Sequence, residues 1–149
     1  MIEAGSKAPD FSLPDQDGDE VSLADFAGHK LIIAFYPGDF SPVCSDQLSL
    51  YQEVLGEIEA RGASLVGISV DSHHSHRAFR ERLNLTMPLL SDFHPKGEVT
   101  RAYGAYIEDR GHGNRSLVLV EDGEVKWSHA SPTPLEIPGA NLIFDALST

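Results

Sequence analysis

Apolar positions along the chain change their period several times, and each change marks an element. Residues 30–36 are a short run, continuously apolar after Lys30, as expected of a strand covered on both faces. Residues 64–71, SLVGISVD, repeat that pattern. Between them Leu48, Tyr51, Leu55 and Ile58 recur at helical spacing with Val54 beside them, predicting one helix that ends at Arg61 with Gly62 as its stop. A second helix should carry Ala78, Phe79 and Leu83, capped by Ser72 or Ser75. Residues 87–92 read as a short strand opened by Pro88, suited to a sheet edge. Then come a short helix (97–103), a loose segment (104–114) and a strand (115–120). The Glu121-Asp122-Gly123 turn returns the chain as strand 124–128. Pro132, Pro134 and Pro138 lead into a last helix, 139–147, with Leu142, Ile143, Ala146 and Leu147 inward. At the front, residues 8–13 are extended and 21–23 should pair with them across a turn at 15–19. Asp15, Asp17 and Asp19 alternate like a calcium loop, but no acidic residue stands at the closing position, so a plain hairpin turn is expected.

The order β-α-β-α-β, then a hairpin and a helix, predicts an α/β fold: a mixed central sheet flanked by helices, with an N-terminal hairpin extension. The 149 residues should form one domain, 1–149. Net charge is −12, and the lysines, Lys7, Lys30, Lys96 and Lys126, form no cluster. Nucleic acid and anionic membrane are therefore not expected partners. The longest apolar run is far too short to span a bilayer, and the first residues lack the pattern of a signal peptide, so a cytoplasmic location is expected.

Chemistry concentrates at Cys44, the one cysteine, which rules out an intrachain disulfide. It follows Pro37, Gly38, Ser41 and Pro42 where the first apolar run gives way to the helix. A thiol in the first turn of a helix faces unpaired backbone N–H groups and the positive end of the dipole, which favour its reactive thiolate. At the carboxyl end of a central strand it also sits where open α/β sheets place reactive groups. His73, His74 and His76 are crowded, but only His73 and His76 share a helix face. Two ligands make a poor metal site, and solvent-facing histidines are expected instead.

Pro37, Ser41 and Cys44 resemble the P-x-x-x-T/S-x-x-C signature of peroxiredoxins, which reduce hydroperoxides with a single thiol. Ala8-Pro9-Asp10-Phe11 looks like that family's opening, and Gly67 to Ser72 with Ser75, His76 and Phe79 like its second strand and helix. Pro88 to Asp92 and Arg115 to Val120 fall in the family's order. The resemblance implies a thioredoxin-like fold. It also implies a thiol-dependent peroxidase acting on hydrogen peroxide and organic hydroperoxides through a Cys44 sulfenic acid, with no cofactor and no metal.

A free thiol titrates near ~8.5 and is only a few per cent thiolate at neutral pH. A helix N-terminus contributes ~0.3–1 kcal/mol at an exposed site, too little alone, so a cation is needed. Carried over by position, the resemblance makes Arg115 that cation. It makes Ser41 and the amides near Val43 and Cys44 donors to the peroxide, and Pro37 a shield for the sulfur. Gln47 would brace the arginine, and Tyr36 and Phe40 would be pocket wall or core. Serine in place of the commoner threonine at 41 keeps the hydroxyl but loses a methyl that fixes the rotamer. No second cysteine stands five residues after Cys44, where Ser49 is found, and no cysteine-bearing C-terminal tail is expected. The chain therefore looks like a one-cysteine type, similar to the bacterioferritin-comigratory and alkyl hydroperoxide reductase E-like groups. Its sulfenate would be resolved by an external small thiol or a thioredoxin- or glutaredoxin-like protein, and family habit suggests a homodimer. Two rival readings are a redox sensor or relay passing Cys44 oxidation to a partner, and a non-catalytic thioredoxin-like binding module.

Overall fold

The computed structural model describes residues 1–148; Thr149 lies outside them. Strand β1 (Ser12–Pro14) and strand β2 (Glu20–Ser22) form the N-terminal hairpin, and Leu23 already begins a short 3-10 turn instead of extending the second strand. The Asp15 carboxylate accepts from the amides of Asp17 and Asp19, closing the turn on itself. Strand β3 (Lys30–Phe35) leads to helices α1 (Pro42–Glu53) and α2 (Leu55–Ala60), then to strand β4 (Ala63–Ser69) and helix α3 (His73–Leu83). Strand β5 (Leu89–Ser91), helix α4 (Glu98–Ala102) and the small hairpin of β6 (Tyr106–Ile107) and β7 (His112–Gly113) follow. Strands β8 (Ser116–Glu121) and β9 (Glu124–Ala130) form the final hairpin, and helix α5 (Ala140–Leu147) ends the described chain. Asp122 and Gly123, both at positive φ, supply the tight turn.

The main sheet has the order β5-β4-β3-β8-β9. β3, β4 and β5 are parallel, whereas β8 runs antiparallel to both β3 and β9. The apolar run of β3 is continuous because both faces are covered. Ile32, Ala34 and Tyr36 pack with Leu48, Tyr51, Ile58, Phe79 and Ile143 under the helices. Leu31, Ile33 and Phe35 pack with Phe11, Leu13, Val99 and Tyr103 under the hairpin and α4. β5 is an edge strand, as its proline implied.

Four local expectations need correction. The first helix is two, broken at Val54 (φ −105°, ψ 5°). β-branched Val54 and Gly56 weaken the helix there, and Leu55 and Ile58 still reach the same core as Leu48. Segment 104–114 contains the β6/β7 hairpin. On α3, Ala78 is exposed and His76 is buried in its place. On α5, Leu142 is only half-buried, leaving Ile143, Ala146 and Leu147 as the inward residues.

Candidate active site

Ser41 is the N-cap of α1: its backbone is extended, and its Oγ accepts from the Cys44 amide at 3.3 Å. Pro42 occupies the first helical position, where a missing N–H leaves no bond unmade. The Val43 amide then has no protein acceptor among the described residues. Cys44 is fully buried in the first turn.

The residue facing its sulfur comes from the far strand of the ladder. Ser116 lies opposite Phe35, so Arg115, one residue earlier, stands at the carboxyl end of β3. Its Nη1 donates to Cys44 Sγ at 3.3 Å and to Gln47 Oε1 at 2.5 Å, and its Nε donates to the Pro134 carbonyl at 2.8 Å. Gln47 Nε2 donates to Tyr51 Oη at 3.1 Å, and that hydroxyl donates to the Pro138 carbonyl at 2.7 Å. Arg115 is only 2% exposed, and none of the ion pairs among the described residues includes it. A buried guanidinium without a carboxylate is costly unless an anion is at hand. The group it faces that can take a negative charge is the Cys44 sulfur.

Cys44, Ser41, Arg115 and Gln47 therefore meet, and Val43 lies beside them on the same turn. Pro37 is half-buried in the loop that follows β3. Phe40 is not part of this constellation: it is about half exposed, holds a positive φ of 66°, and packs its ring 5.1 Å from that of Phe79. Tyr36 shares the apolar cluster with Cys44, but its hydroxyl points into a second polar cluster. There it donates to Asp39 Oδ1 at 2.7 Å, in a site that pushes its own ionisation well above the ordinary range, first through burial and then through Asp39.

That second cluster holds the loop before the cysteine helix. Asp39 Oδ2 accepts from Ser75 Oγ at 2.8 Å and lies 2.8 Å from His76 Nδ1. The Asp39 amide donates to Asp71 Oδ2 at 2.8 Å. His76 is thus not solvent-facing: it is fully buried, with Nε2 3.0 Å from the Leu90 carbonyl. Asp39, Asp71 and His76 bring ligand-type atoms within 4.8 Å of one another. Asp39 and His76 are in direct hydrogen-bond contact, and Asp71 Oδ2 also accepts from Ser69 Oγ at 2.6 Å, so these groups bind each other. The cluster also fastens the loop whose next residue, Phe40, sits in a region that costs a bulky side chain about 1–3 kcal/mol. Asp39→Ala should leave Tyr36, Ser75 and His76 without their shared acceptor and lower stability by roughly 3 kcal/mol in urea unfolding. A loss under about 0.5 kcal/mol would show that the cluster does not hold the loop.

The pattern of prolines and the Tyr51 stripe gave no hint that Pro134, Pro138 and Tyr51 belong here. Tyr51 reads as core from its spacing, and a backbone carbonyl has no sequence signature.

A model of the AhpC/TSA family matches residues 4–128. The chain belongs to the AhpC/TSA family. It is 41% identical over 131 residues to a Mycobacterium tuberculosis protein named as a peroxiredoxin, covering 83% of this chain and 82% of that one. It is 33% identical over 149 residues to alkyl hydroperoxide reductase E of Mycobacterium bovis, covering 99% of this chain and 97% of that one. Among solved structures, the peroxidoxin BcpB of Mycobacterium tuberculosis superposes with a TM-score of 0.84 at 25% identity, over 99% of this chain and 96% of that one. The sheet and its flanking helices are the thioredoxin-like arrangement of this AhpC/TSA protein. As one cysteine is present, it is of the one-cysteine type.

Proposed function

We infer that this protein is a thiol-dependent peroxidase that reduces hydrogen peroxide and organic hydroperoxides at Cys44. The observation that carries this is the buried Arg115 guanidinium, without a carboxylate partner among the described residues, with Nη1 directed at Sγ from 3.3 Å. In the reaction the Cys44 thiolate attacks one peroxide oxygen. The S–O bond forms as the O–O bond breaks, and the departing oxygen takes a proton to leave as water or alcohol. Charge develops on that oxygen, where positioned donors lower the barrier most. Arg115, the Ser41 hydroxyl and the free Val43 amide are the donors in this reading, and Pro37 shields the sulfur. The Cys44 sulfenic acid stands on the reversible rung of sulfur oxidation. An external thiol condenses with it, releasing water to form a mixed disulfide, and a second thiol then frees Cys44 as a disulfide departs.

The reductant in this reading is a small thiol or a thioredoxin- or glutaredoxin-like protein in the cytoplasm, and the working form is a homodimer. Edge strand β9 supports an assembled form: the N-terminal segment hydrogen-bonds along its start (Val125 N to Ser6 O at 2.9 Å) and Ser128 Oγ donates to Ile2 O, but no strand lies beside the rest of its outer side among the described residues.

Stopped-flow oxidation of the reduced protein, with mass spectrometry of the product, tests the function. Saturable turnover with added thiol and a one-oxygen adduct on Cys44 are expected. A single oxidation that stalls as a protein-bound mixed disulfide would make it a redox relay instead.

A further inference from the structure

We propose that Tyr51 is a positioning residue for the peroxide site, acting through Gln47 on Arg115 and tying down segment 131–139, whose Pro134 carbonyl accepts from the same arginine. This deepens the peroxidase reading and rests on it. Every link follows from which atoms can donate. Arginine has only donors, so the Gln47 oxygen must face Arg115 and its NH2 must face Tyr51. With Gln47 Nε2 donating to it at 3.1 Å, the Tyr51 hydroxyl turns its own proton to the Pro138 carbonyl at 2.7 Å. All donors thus run in one sense, with Arg115 Nη1 dividing its two N–H groups between Gln47 Oε1 and Cys44 Sγ. Gln47 and Tyr51 are both fully buried, so no water replaces a lost partner cheaply. Burial pushes the Tyr51 hydroxyl up to about 12, ahead of the smaller opposing effects of Gln47 and Arg115, which keeps it a donor at neutral pH.

The segment it ties is fastened at three points. The Ser131 amide donates to the Arg115 carbonyl at 2.9 Å, Arg115 Nε donates to Pro134, and Tyr51 donates to Pro138. Between these points Leu135 is 78% exposed, and the Ser131 hydroxyl is buried with no partner among the described residues. The segment lies past residue 128, beyond the residues the family model matches. Cys44 has no exposed surface. The hydrogen bonds that hold this segment are also the ones that aim the guanidinium at the sulfur.

Tyr51→Phe tests the proposal, because it keeps the ring and its packing and removes one oxygen. Two readouts on the reduced full-length protein separate the outcomes. In hydrogen exchange, the Ser131, Leu135 and Glu136 amides should exchange about tenfold faster in Tyr51→Phe. Unchanged exchange there would overturn the tie, whatever the protein's activity. In single-turnover oxidation by hydrogen peroxide, measured per folded chain, the rate should fall roughly tenfold. Gln47→Leu should lower it similarly, and the double variant should be no slower than the slower single one. An unmutated rate in Tyr51→Phe, or losses that simply multiply, would refute the positioning role. If the unmutated protein itself fails to react with peroxide, the peroxidase reading fails, and the exchange measurement still decides the tie.

Discussion

Cys44→Ser is expected to abolish thiol-dependent peroxide consumption, lowering it by at least about a thousandfold, while leaving the fold intact. A serine hydroxyl is a weak nucleophile without an adjacent general base, and no histidine or carboxylate hydrogen-bonds to position 44 among the described residues. The fold tolerates the change because serine is nearly the same size and Arg115 Nη1 can donate to its oxygen in place of Sγ. Circular dichroism and thermal melting check the second half; steady-state peroxide loss with added thiol checks the first. Turnover at the unmutated rate would remove the sulfur from the mechanism and with it the proposed reaction.

Arg115→Ala should have the next largest effect, and on two quantities at once. Removing the guanidinium takes away the donor aimed at the sulfur and, by the proposed mechanism, a donor to the departing oxygen. Loss of one such donor typically costs about 10²–10³ in rate. The same change leaves the Gln47 amide and the Pro134 carbonyl without their partner and opens a cavity beneath the proline segment. A stability loss of about 3 kcal/mol is therefore expected in urea unfolding. Arg115→Lys separates the two roles: it restores the charge, but a single ammonium cannot serve Sγ, Gln47 and Pro134 in the fixed plane that a guanidinium offers. Its oxidation rate should fall between those of the alanine variant and the unmutated protein. An alanine variant that is oxidised by peroxide at full rate would exclude Arg115 from the chemistry.

Much of this is legible in the amino-acid sequence. Two continuous apolar runs announced central strands because both faces of β3 and β4 are covered. Cys44 stood out because prolines, a glycine and a capping serine surround it at a strand-to-helix junction. The positions of Arg115 and Gln47 came through resemblance, since nothing local in sequence ties residue 115 to residue 44. What stayed hidden shares a physical cause. Tyr51 sits at core spacing, and periodicity reports burial without reporting what a buried polar tip will find; His76, expected in solvent, is buried beside Phe79 on the inner face of α3. Phe40, an aromatic near the cysteine, suggests pocket wall or core; it holds a positive φ and packs its half-exposed ring on Phe79. The break at Val54 leaves no mark in the pattern because the apolar stripe continues across it.

The antiparallel pairing of β8 with β3 has an implication for how this chain can vary in length. Cys44 and Arg115 are 71 residues apart in sequence, yet their meeting depends on one ladder in which Phe35 faces Ser116. Insertions in the connections between those strands leave that alignment untouched. Deleting one residue within Leu31 to Phe35 or Ser116 to Val120 would send alternate side chains to the opposite face, and the arginine would leave the sulfur altogether.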